Sequence, residues 1–84
     1  MESISFTVYP NPVNDILNIG YSLAEKDIAS LRIYNLEGKE MKNLQLSQWA
    51  TGVSIDLSNF SKGTYLYVYH VNGVIEKTGK LIKL

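Results

Sequence analysis

The sequence contains no cysteine. No disulfide framework holds it and no thiolate chemistry is open to it. That absence leaves secretion open and puts the whole burden of stability on packing. Excess charge is also missing: eight Lys and Arg balance eight Asp and Glu, with an isoelectric point near 6.5. Nothing in this balance draws the chain to nucleic acid or to an anionic membrane. The same neutrality gives little protection against weak self-association. No apolar run approaches the ~20 residues of a membrane span, and no charged-then-apolar leader opens the chain. If the chain is exported, its signal is expected elsewhere in a longer protein. Histidine is scarce, and a Ser-His-Asp arrangement could be built only around His70. A satisfied or rim histidine on a strand is the stronger reading. Asp15, Asp27 and Asp56 are scattered, lack the spacing of a Ca²⁺ loop and read as turn or loop-end residues. The glycines stand singly at turns, and none belongs to a phosphate cradle. No catalytic residue, cofactor or metal site is expected.

Proline is nearly absent too, yet both prolines flank one asparagine, in Tyr9-Pro10-Asn11-Pro12-Val13. Two prolines fix two φ angles and delete two backbone donors. They also push Tyr9 and Asn11 toward extended or polyproline geometry. A strand ladder cannot pass through this segment and helix is excluded. The expectation is a stiff, extended corner where the first strand leaves its sheet, with Val13 returning to the core.

Eighty-four residues form one domain, 1–84. A chain this short buries roughly 60% of its unfolded surface, so its core is thin. Ile4, Phe6 and Val8 alternate with Ser5 and Thr7 and predict a half-buried strand. Leu17, Ile19, Tyr21 and Leu23 share one face of a second strand, and Ala29, Leu31 and Ile33 one face of a third. A hairpin turn over Asn35–Lys39 uses Gly38 for positive φ. In the fourth strand Met41 has one parity while Lys42, Leu44 and Leu46 have the other. Trp49 is expected to fold over an open edge, and Val53, Ile55 and Leu57 to make a fifth strand. Ser58 could cap a single helical turn that Gly63 ends in the left-handed region, with Phe60 plugging the core. Thr64–Val71 is the strongest strand. Asn72-Gly73 is a two-residue hairpin leading to a last strand over Val74–Leu84. The expected fold is an all-β, Ig-like antiparallel sandwich of about seven strands.

Tyr65, Tyr67 and Tyr69 are spaced by two and line one face of the sixth strand. Exposed, they would make a stacking platform for sugars, as in a carbohydrate-binding or adhesion module. Buried, they would fill the space between the sheets with their hydroxyls at the rims. The buried reading is favoured. Leu66 and Val68 on the opposite face are then the candidate partner surface.

In order and at the right spacing, these pieces resemble the C-terminal sorting domain of cargo exported by the type IX secretion system (Por secretion system) of Bacteroidetes. The resemblance rests on Tyr9-Pro10-Asn11-Pro12-Val13, then Asp15, Leu17 and Ile19, then Tyr34, Asn35, Gly38 and Met41. It continues through Ile55–Ser58, Phe60–Tyr65 and the terminal Lys80-Leu81-Ile82-Lys83-Leu84. Phe60 stands where the family usually has leucine. The resemblance implies an Ig-like sandwich and a sorting signal rather than an enzyme. Its implied partners are an outer-membrane secretion translocon, a surface sortase and a covalently linked upstream cargo. The implied route runs through the periplasm to the cell surface or extracellular space, in many cases with sortase removal and attachment of the cargo to lipopolysaccharide. The cleavage site would fall near or before Ser3. Beyond the resemblance, the terminal strand itself invites a role: at a sheet edge it would offer unpaired backbone groups to a partner, with Lys80 and Lys83 marking it.

Overall fold

A computed structural model describes residues 6–84. Ile4, expected on the core face of the first strand, lies outside the described residues. The described residues form seven strands: β1 (Phe6–Tyr9), β2 (Ile16–Tyr21), β3 (Ala29–Asn35), β4 (Glu40–Leu46), β5 (Gly52–Asp56), β6 (Gly63–Val71) and β7 (Val74–Lys83). One sheet has the order β1-β2-β5 and the other β4-β3-β6-β7. Every pairing is antiparallel. The chain changes sheets after β2, after β4 and after β5, so this is the Ig-like sandwich read from the strand pattern. The molecule measures 36 × 22 × 21 Å, its long axis little more than one long strand.

Period-two patterning sets the core. Leu17, Ile19 and Tyr21 of β2 and Ile55 of β5 face Leu31 and Ile33 of β3 and the tyrosines of β6, all buried. Val8 and Phe60 are only half-buried and pack against this cluster. Tyr65, Tyr67 and Tyr69 lie between the sheets, so the sugar-stacking platform does not exist. Phe6 of β1 stacks on Tyr69, ring centroids 4.1 Å apart, and tilts against Tyr67 at 5.9 Å. Two tyrosines keep their hydroxyls at the rim. Tyr21 donates to the Ser47 carbonyl at 2.9 Å and Tyr65 to the Ser61 carbonyl at 2.6 Å. The second bond, from the start of the sixth strand back to the preceding corner, is the tyrosine corner of Ig-like sandwiches.

Several local expectations are corrected. β2 ends at Tyr21, and Leu23 packs from the connector. In β4 the parity of Leu44 and Leu46 wins. A bulge between the Ile33–Lys42 and Tyr34–Glu40 pairs takes up Met41, which is exposed. Trp49 covers no edge; it is 78% exposed, its loop held instead by the Trp49 amide on Ser47 Oγ. No helical turn follows β5. Asp56, not Ser58, makes the local cap, accepting from the Ser58 amide at 2.8 Å. Asn72 and Gly73 hold φ of 54° and 80°, the pair of positive values that a type I′ hairpin requires.

Two glycines are demanded by geometry. At Gly79 a Cβ would fall 2.4 Å from the Tyr67 ring, which lies across β7 at this point. At Gly63 φ is +148°, where the chain reverses into β6. Gly63→Val should therefore lose roughly 1–3 kcal/mol through backbone strain, although a Cβ there meets nothing. Urea denaturation measures this; an unchanged midpoint would contradict the strain.

Candidate recognition site

The candidate site is built by the proline corner. Pro10 and Pro12 cannot donate, so β1 stops at Tyr9. The corner is not the extended crossover expected from the dipeptides. It bends over residues 10–12, cis bonds stand before both prolines, and β7 takes up its polar groups. Asn11 Nδ2 donates to the Lys80 carbonyl at 2.8 Å, and Asn11 Oδ1 accepts from the Ile82 amide at 3.0 Å. A primary amide carries the donor and acceptor of a peptide unit, so Asn11 pairs with the strand edge as backbone would. Val13 continues the pairing. Its amide donates to the Ile82 carbonyl and its carbonyl accepts from the Leu84 amide, both at 2.8 Å. Val13 thus bridges Lys83 in parallel, with its own side chain fully buried.

β7 is an edge strand of its sheet. The corner occupies the outer backbone groups of its last turn of pleats, from the Lys80 carbonyl to the Leu84 amide. The expectation of an open terminal edge is corrected for this stretch: no partner strand can pair there while the corner holds it. The side chains divide by parity. Leu81 is fully buried opposite Tyr65. Lys80 and Ile82 point outward beside Leu66 and Thr64, and both are exposed. Lys83 shares the parity of Leu81 and turns inward, only 7% exposed. Its Nζ donates to the Leu84 carbonyl at 3.0 Å and lies 3.9 Å from Asp15 Oδ1. Lys83 is therefore a rim strut, not a surface mark.

The remaining motif residues gather at the same end. Gly63 faces Lys83 in the ladder, and Asn35, at the end of β3, faces Tyr65. Asn35 organises the next hairpin: its Oδ1 accepts from the Glu37 and Lys39 amides, and its carbonyl accepts from Gly38. Gly38 holds φ of +88° there and shares this end of the sheet. Leu57 donates to the Asp15 carbonyl at 2.7 Å, which ties β5 to the segment after the corner. Tyr9 and Leu84 are exposed here, at 55% and 60%. The inward turn of Lys83 was readable from its parity. The pairing of Asn11 with β7 carries no local signal, since its partners are sixty-nine and seventy-one residues away.

Charge at this end is local. The Ser58 hydroxyl and then its amide hold the Asp56 carboxyl below the usual range. At the opposite end, the Ala24 amide and then the Asn72 side chain do the same for Asp27. Burial pushes the Tyr69 hydroxyl up. Among the described residues, no helix is long and apolar enough to cross a membrane.

Fold and site together define an Ig-like sandwich module whose sequence motifs converge on a proline corner clamped to the terminal strand. The family model described as "Secretion system C-terminal sorting domain" matches residues 7–84, and the chain belongs to that family. No match to a curated protein accompanies it. Membership makes the domain a type IX secretion sorting signal, with an upstream cargo and contact with the secretion machinery. It implies export toward the outer membrane and on to the cell surface or extracellular space.

Asn11→Ala removes both partners of the β7 edge and should cost roughly 1–2 kcal/mol by urea denaturation. Asn11→Asp keeps the acceptor but turns oxygen lone pairs toward the Lys80 carbonyl, and should cost at least as much. Stability equal to the parent in both variants would contradict the clamp. Acid should act through Asp27 and Asp56. Both carboxyls are held below the ordinary carboxylate range in the folded domain, so the unfolded chain binds protons first as pH falls. The stability they contribute is complete above that range and is lost as pH drops through the lowered folded values. A plot of Tm against pH should show this loss below about pH 4. In Asp56→Ala the fall should be shallower; an acid limb identical to the parent would contradict the assignment.

Proposed function

We propose that the translocon reads the end of the sandwich formed by the proline corner, the outward side chains of β7 and the Gly38 hairpin. The observation that supports this most strongly is convergence. Motifs separated by up to seventy-one residues meet there through Asn11 and Ile82, while β1 begins at the far end, where Phe6 pairs with Tyr21. Cargo joined before Phe6 would trail behind, leaving the corner and the terminal strand free to engage a receptor. In this reading Lys80, Ile82, Tyr9 and Leu84 supply the contact, a cation beside exposed apolar groups. Asn11, Val13, Leu81 and Lys83 shape the surface without touching the partner. A cell-surface sortase then removes the domain and the cargo is attached to the surface.

The domain acts by recognition rather than catalysis in this account. The surroundings of His70 support that: Ser30 faces it across the ladder, but no carboxylate lines the pocket they share. The orienting acid of a triad has no counterpart there.

Export of a reporter fused to the domain in a type IX-competent cell tests the proposal. Lys80→Ala should lower secreted reporter while shifting the stability of the purified domain by no more than about 0.5 kcal/mol. Lys83→Ala should lower stability as well, because its side chain is buried. Removal of the last five residues should abolish export. Normal export of the truncated fusion would remove the terminal strand from the recognition surface. Normal export of Lys80→Ala with Ile82→Ser would do the same for its outward face.

A further inference from the structure

The outer face of the four-stranded sheet carries a second feature, unconnected with the corner. Ser30 of β3 faces His70 across β6 and Gln45 across β4, and Arg32, the next outward residue of β3, faces Asn43. With strands about 4.8 Å apart and outward residues about 6.8 Å apart along each strand, these five side chains form a patch of about 10 by 7 Å. They line a pocket of about 200 Å³, and none is a carboxylate. Two of its nitrogens, Arg32 Nε and His70 Nδ1, are shielded from solvent and have no hydrogen-bond partner. Such atoms are rare in native proteins because shielding them without a partner is unfavourable. The Glu40 carboxylate stays 3.7 Å from Arg32 Nε, beyond a hydrogen bond.

We propose that this pocket binds a small oxyanion, a carboxylate or a phosphate group. Guanidinium and imidazole nitrogens supply charge-assisted donors. The amides of Asn43 and Gln45 and the hydroxyl of Ser30 add neutral donors around them. Asp and Glu, which would favour a cation or repel an anion, are missing from the lining. The proposal is independent of sorting: the pocket lies by the β6–β7 hairpin and Ile28, away from the corner.

Amide NMR of the purified domain tests it, with sodium phosphate and sodium acetate titrated separately against sodium chloride of matched ionic strength. Saturable shifts should centre on Ser30, Arg32, Asn43, Gln45 and His70. Saturation with phosphate alone assigns the site to phosphate groups, and with acetate alone to carboxylates. Arg32→Gln should weaken binding roughly tenfold. Glu40→Gln removes the competing carboxylate and should tighten it several-fold. A linear response to both anions, or binding unchanged in Arg32→Gln, would overturn the proposal. Should Arg32→Gln lose its native spectrum, the Glu40→Gln titration decides, and unchanged affinity there overturns it.

Discussion

The outer edge of β7 is the constraint on which the rest of this domain depends. A terminal strand at a sheet edge exposes a row of amides and carbonyls, which in water is a template for unwanted pairing. Closure into a barrel would remove the edge, but seven short strands in two sheets leave edges. Here the chain uses its own first corner. Pro10 and Pro12 take that corner out of the ladder, Asn11 offers a side-chain amide in place of a peptide, and Val13 completes the pairing from its backbone. The beginning and the end of the domain are thereby fastened to each other, and β2 and β5 follow through Asp15 and Leu57.

This fastening matters because the core is thin. With no disulfide to help, the tyrosines of β6 supply much of the volume between the sheets, and β7 accommodates one of them only because Gly79 has no side chain. Lys83 fits the same logic. Its stem runs along the buried rim while its ammonium reaches the Leu84 carbonyl. The end that carries the motif residues is thus one where distant parts of the sequence are tied together.

Much of the fold was legible in the sequence because period-two alternation is a local signal. Leu17 with Ile19, Leu31 with Ile33 and the three tyrosines each announce a face, and Asn72-Gly73 announces its own turn. What was not legible depends on partners far along the chain. The corner of Asn11 bends rather than extends, and its partners lie on β7, about seventy residues along the chain. Trp49 looked like a cover because it is large and apolar, yet nothing in its loop turns it inward. Met41 was ambiguous because a bulge changes parity, and bulges leave no reliable trace in alternation. Of the candidate site, the participating segments could be named from sequence, but their roles could not. Lys83 as a strut and Asn11 as a strand mimic are properties of packing between segments.

The division of labour also follows from topology. Residues that hold the clamp face inward or along the strand edge, while Lys80 and Ile82 on the same strand face out. On the proposed function, a receptor would meet Lys80 and Ile82 on a strand whose edge the corner holds, so their presentation would be coupled to the fold. Native-state hydrogen exchange of the intact domain tests this coupling most directly. The amides of Val13, Ile82 and Leu84 should exchange only with global unfolding, with protection within about 1 kcal/mol of that in the central strand β3. Exchange of those three amides at much lower free energy, while β3 and β6 remain protected, would show that the corner and the terminal strand open independently of the fold.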